Sequence, residues 1–269
     1  MTAVNLLQLK KQINALLWTF MDPEAFRKDL KKLIEQYSNL SYKPGKGAAS
    51  SIQSSELHVP PLVLRALEVD LYQTVREHPQ AALNNCDFLW KDPNNEMHIV
   101  AFKMLGNIPL DHQQEVFQRI EQWAKEPSEV YSEKTILLNA TLTIRRNEPD
   151  KLLEKAKEWC QSTFLKDQSI GLKALIILAE EPSYINLPGI FHTLEGILPK
   201  TPPVLQSDLF DLLLALLEKS EIETIFFVRQ KLEQEPSKPI IRTARKLLPY
   251  FPESTRQSIQ TVLRNHPIK

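Results

Sequence analysis

The chain has 269 residues, 42% hydrophobic and 25% charged, ordinary values for one folded domain or one continuous helical array with a sizeable core. Its 33 basic and 33 acidic residues cancel, which excludes the domain-wide basic excess of a dedicated nucleic-acid binder, so any such footprint has to be local. Only 6 glycines stand against 19 prolines, which argues against glycine-rich phosphate loops and tight hairpins and suits many short helices opened by proline.

The first apolar residues, Leu6, Leu7, Leu9, Ile13, Leu16, Leu17 and Phe20, recur at helical spacing and predict an amphipathic helix. Lys10 and Lys11 interrupt it, and no apolar run in the chain approaches the roughly 20 residues of a membrane span. The expectation is a cytoplasmic protein with no signal peptide and no membrane segment. Asp22 followed by Pro23 reads as an N-cap and first helical residue, opening a second helix to about Gln36. Residues 38–59, with Lys43-Pro44-Gly45-Lys46-Gly47 and a run of serines, read as a flexible loop.

From Pro60 onward helical periodicity is continuous. Helices are expected over 60–77, 79–90, 95–106, 111–125, 128–146, 149–163, 166–181, 187–198, 203–219, 221–235, 239–250 and 252–265. Three tryptophans mark a register within them: Trp90, Trp123 and Trp159 lie 33 and 36 residues apart, each followed by a polar break and an apolar helix. A period in this range marks stacked helix pairs that cannot bury their own apolar faces. The expected fold is therefore all-α, a right-handed α-solenoid of HEAT-like antiparallel pairs. Residues 1–37 form an N-terminal helical hairpin, and residues 60–269 continue it as one solenoid. Such a solenoid carries a concave surface, so binding is its default use, and the tryptophans read as packing residues whose indole N–H finds a carbonyl.

Few residue patterns propose chemistry. Cys86 and Cys160 sit in apolar helical stretches and read as small buried hydrophobes. The six histidines do not pair at helical ligand spacing, and no metal, Walker or nucleophile-elbow motif occurs, so no cofactor or metal is expected. Glu96, Glu133 and Asp167 stand at helix starts, where a carboxylate complements the helix dipole.

The charge distribution is uneven. Residues 1–59 carry a net +3, 60–130 a net −5, 131–199 a net −1 and 200–269 a net +3. Lys238, Arg242, Arg245 and Lys246 fall at offsets 0, 4, 7 and 8 and share one helical face. With Arg145, Arg146, Lys166 and Lys173 they could form a track for a phosphate backbone, or they could be an ordinary solvated face.

Three stretches carry a resemblance: residues 59–65 (Val-Pro-Pro-Leu-Val-Leu-Arg), Leu89-Trp90, and residues 96–105 (Glu-Met-His-Ile-Val-Ala-Phe-Lys-Met-Leu). Together they are similar to the N-terminal signature of the HEAT-like DNA alkylation repair glycosylases, over residues 57–180 by motif and over the rest by architecture. The resemblance implies a concave basic groove for duplex DNA. It also implies an inner-helix aspartate that stabilises the positive charge developing on the sugar, with aromatic side chains beside it. In this chain the aspartate position falls on Thr135 or Ile136, and the nearby groups are Tyr131 and Glu133. The expectation is DNA binding, in a DNA repair-like setting, without the family's catalytic carboxylate. The alternatives are a scaffold holding a protein or peptide in its groove, and an active glycosylase using Glu133 as a displaced acid.

Overall fold

The structure is a computed structural model that describes residues 4–38, 58–126 and 132–265. Among the described residues it is all-α: fifteen α-helices, four short 3-10 turns and no strand. No helix among them is long and apolar enough to cross a membrane. The loop expected over 38–59 lies almost entirely outside the described residues.

The chain divides into two compact units. Of the described residues, the first takes those in Met1–Ile120 and Asn139–Thr143; the second takes those in Glu121–Pro127, Ser132–Leu138 and Ile144–Lys269.

The first unit begins with α1 (Leu6–Leu17) and α2 (Pro23–Gln36). Asp22 accepts from the amides of Glu24 and Ala25, both at 3.1 Å, so the Asp-Pro signal acts as the cap it was read to be. Helices α3 (Pro61–Glu77), α4 (Pro79–Trp90) and α5 (Asn95–Gly106) follow, with α3 packing on α1 and α5, and α4 on α2 and α5. Leu9, Ile13, Phe20, Phe26, Leu30, Val63, Leu67 and Leu71 are all buried. Each such side chain contributes roughly 1.5–3 kcal/mol on leaving water. Phe20 meets Phe26 edge to face, with centroids 5.3 Å apart. The carboxylate of Asp92 is fully buried at the end of α4, 3.0 Å from Arg27 Nη1 and 3.6 Å from Lys31 Nζ on α2.

Helix α6 (Gln113–Lys125) is preceded by a 3-10 turn, Leu110–His112. One helix was expected over 128–146; the described part is instead α7 (Glu133–Ala140) and α8 (Leu142–Asn147), broken at Thr141. Ser132 Oγ accepts from the Thr135 amide at 3.2 Å and starts α7. Gly106 packs beside the break: a Cβ there would overlap the Asn139 carbonyl, and Thr143 Oγ1 donates to the Gly106 carbonyl at 2.6 Å.

The second unit continues with α9 (Pro149–Gln161), α10 (Leu165–Glu180), α11 (Leu187–Ile197), α12 (Gln206–Lys219), α13 (Glu221–Gln234), α14 (Lys238–Leu247) and α15 (Glu253–Arg264). Helix α10 packs on α9 and α12, α12 on α13 and α14, α9 on α11, and α13 on α15. The centre of the unit is α10, buried on nearly every side from Ile170 to Ala179, as befits a helix apolar all round. Gly171 is what lets α9 and α10 approach: a Cβ there would lie 2.6 Å from Cys160 Sγ and 2.7 Å from its amide nitrogen.

The register tryptophans are packing residues. Trp123 and Trp159 are buried. Trp90 is half-buried, its ring 4.6 Å from that of His98 and 5.7 Å from Phe102. Both cysteines are buried free thiols.

Candidate functional site

In the second unit, the first turn of α7 brings Glu133 against α10. Lys166 Nζ lies 3.1 Å from Glu133 Oε1 and Lys173 Nζ 3.0 Å from Oε2. The same Lys173 ammonium donates to Ser169 Oγ at 2.8 Å, and Ser169 donates in turn to Asp208 Oδ2 on α12 at 2.7 Å. Lys173 is also 3.7 Å from the Asp208 carboxylate. Beside this chain, Lys134 pairs with Glu180 at 2.6 Å.

The electrostatics follow from the geometry. Burial pushes the Glu133 carboxyl up, but hydrogen bonds from Lys173, from its own backbone and from Lys166 outweigh that and hold it at about 2. Glu133 is thus an ionised carboxylate whose charge two ammonium groups already neutralise. Asp211, one turn beyond Asp208, is raised by burial and by the neighbouring Asp208 charge.

The expected site residues therefore separate into groups. Lys166 and Lys173 converge on Glu133. Arg145 is buried, 6% exposed, with Nε 2.9 Å from Glu181 Oε2 in an ion pair whose angle is too bent for a hydrogen bond. Arg146 beside it is exposed. Tyr131 lies outside the described residues. Of the two positions on which the resemblance would place an aspartate, Ile136 is in the core and Thr135 is half-buried on the Ser132 cap.

On α14, Lys238 and Lys246 are exposed, and Arg242 and Arg245 are half-buried. Ile240, Ile241, Ala244 and Leu247 on the same helix are buried and hold that face outward. Lys238, Arg242 and Lys246 make no ion pair among the described residues. At 1.5 Å of rise per residue they span about 12 Å of one helix face.

Among the described residues, no group of three or more His, Cys, Asp or Glu side chains could hold a metal ion. Sequence reasoning missed Ser169 and Asp208. Glu133 and Lys173 are 40 residues apart, and Ser169 and Asp208 39, so no local spacing announces either pair. No protein-family model, no curated protein and no solved structure matches the chain.

Proposed function

We propose that this chain is a HEAT-like helical-repeat protein that binds duplex DNA, without sequence preference, through the phosphate backbone. The cationic face of α14 is the contact surface. One observation carries the reading: Lys238, Arg242 and Lys246 stand in register without acidic partners among the described residues, while Arg145, Lys166 and Lys173 are each engaged by a carboxylate. The repeat architecture draws support from the alternate packing of α10 on α12 and of α12 on α14. A cytoplasmic setting goes with it, which cell fractionation tests.

Base excision of the family type is no part of this proposal. Stabilising an oxocarbenium-like sugar needs an uncompensated negative charge. Glu133, the displaced-acid candidate, has ammonium groups at 3.0 and 3.1 Å instead. Binding a short duplex at a series of salt concentrations tests the proposal. Three phosphate contacts give a slope of log K against log salt of about −3, and no binding at low salt removes the proposal.

A protein or peptide partner is the second reading. What favours it is α13, where Ile222 and Phe226, one turn apart, are 81% and 67% exposed. Capture of protein partners that survives nuclease treatment and is lost in Phe226→Ser supports this reading over the first.

A further inference from the structure

The second unit holds a cavity of about 350 Å³ where the end of α9 and the start of α10 meet the segment joining α11 to α12. That volume lies within the range of about 300–1,000 Å³ in which small-molecule sites fall. Leu172, Ile197, Pro202 and Leu205 supply its apolar wall. The Cys160 thiol lies in the same wall, 7% exposed. Burial pushes that thiol up to about 12, so it stays protonated at neutral pH and presents a soft apolar surface.

Among the described residues the polar lining is Gln161, Gln168, Lys200 and Thr201, with Lys200 the single cation and no acidic residue. The Lys200 ammonium makes no ion pair among the described residues. Thr201 Oγ1 is occupied by the Ile197 carbonyl at 3.0 Å, and the Gln168 amide nitrogen by the Ser162 carbonyl at 2.8 Å. Gly196 leaves the space open: a Cβ built there meets nothing within 4 Å.

We infer that this cavity binds a small amphipathic anion, its carboxylate or sulfonate headgroup held by Lys200 and its apolar body lying against Leu172, Ile197 and Leu205. A lone cation beside an apolar wall selects against cations, and against neutral apolar molecules by the loss of the headgroup contact. No α14 residue lines the cavity, and the inference does not depend on DNA binding.

The probe is 1-anilinonaphthalene-8-sulfonate, titrated into the full chain by fluorescence, with neutral N-phenyl-1-naphthylamine as its uncharged counterpart. The expected result is saturable binding of one probe per chain. Lys200→Gln and the neutral counterpart each weaken it about fivefold, the effect of one exposed charge contact. Gly196→Phe, which fills the void, abolishes it. Bound sulfonate also slows N-ethylmaleimide modification of Cys160, which lines the cavity, read by mass spectrometry against fully buried Cys86. Non-saturating binding, equal affinity for the neutral probe, or an unchanged Cys160 rate overturns the inference. Because Lys200 is exposed and Cys160 is read in the unmodified chain, the test survives a Gly196→Phe variant that folds poorly.

Discussion

The indole Nε1 of Trp159 donates to Glu121 Oε1 at 2.8 Å, across 38 residues of sequence. Glu121 stands two residues before Trp123, so the last turn of one tryptophan-marked helix holds the tryptophan of the next. Lys155 completes the joint, 3.0 Å from the same Glu121 oxygen and 5.6 Å from the Trp159 ring centroid.

This joint makes a prediction with two magnitudes. Trp159→Phe keeps the ring volume near and loses the indole donor, and is expected to cost about 1–2 kcal/mol, since Glu121 retains Lys155. Trp123→Ala removes a fully buried ring and is expected to cost about 3–5 kcal/mol. Urea unfolding of both variants checks the order; equal losses would show that the hydrogen bond is not what distinguishes Trp159.

The Glu133 cluster predicts an acid-dependent stability. Its folded pKa, about 2, lies below the ordinary glutamate value of about 4.3, so the ionised state favours folding. That contribution is fully present above about pH 4.3 and is lost as pH falls toward 2. Urea midpoints measured from pH 7 down to pH 2.5 are expected to fall less steeply through this window in Glu133→Gln than in the unmodified chain. Parallel profiles would refute the assignment.

The same substitution has an opposite effect on anions. Glu133→Gln releases Lys166, while Lys173 keeps Asp208, so duplex affinity at low salt rises and the salt slope steepens by about one unit. Lys238→Ala combined with Arg242→Ala on α14 reduces the slope by about two. If neither variant moves the slope, phosphate contact by these faces is ruled out.

Two glycines on neighbouring helices predict contrasting outcomes. Gly171→Ala forces a Cβ to within 2.6 Å of Cys160 Sγ and is expected to cost about 1–3 kcal/mol by overpacking α9 against α10. Gly196→Ala meets nothing within 4 Å and is expected to stabilise α11 by about 0.4–1 kcal/mol through reduced chain entropy. Thermal unfolding of the pair decides the matter, and a loss in Gly196→Ala would contradict the open geometry.

Much of the secondary structure was legible because its signals are local. Asp22-Pro23 caps α2, Pro79 opens α4, and the apolar spacing of 95–106 becomes α5 with the expected bounds. The stretch 128–146 reads as one helix from its periodicity, and its spacing does not show that Gly106, distant in sequence, packs on the Asn139 carbonyl and accepts from Thr143 beside the break at Thr141. The candidate site was legible only in part. Lys166, Lys173 and Glu133 were each recognisable as charged helix residues, but the phosphate track had counted Lys166 and Lys173 as available cations. Whether a lysine is free or spent depends on what faces it, and Glu133 faces both.

By itself, then, the sequence determined the helices, their caps and the tryptophan register, since periodicity and capping act within a few residues of the chain. Only the tertiary structure decided which charges cancel, that Lys238, Arg242 and Lys246 on α14 make no ion pair among the described residues, and that Lys200 and Cys160 share a cavity. Those are properties of side chains brought together from distant segments, where Coulomb energy and burial depend on distance in space and not on spacing along the chain.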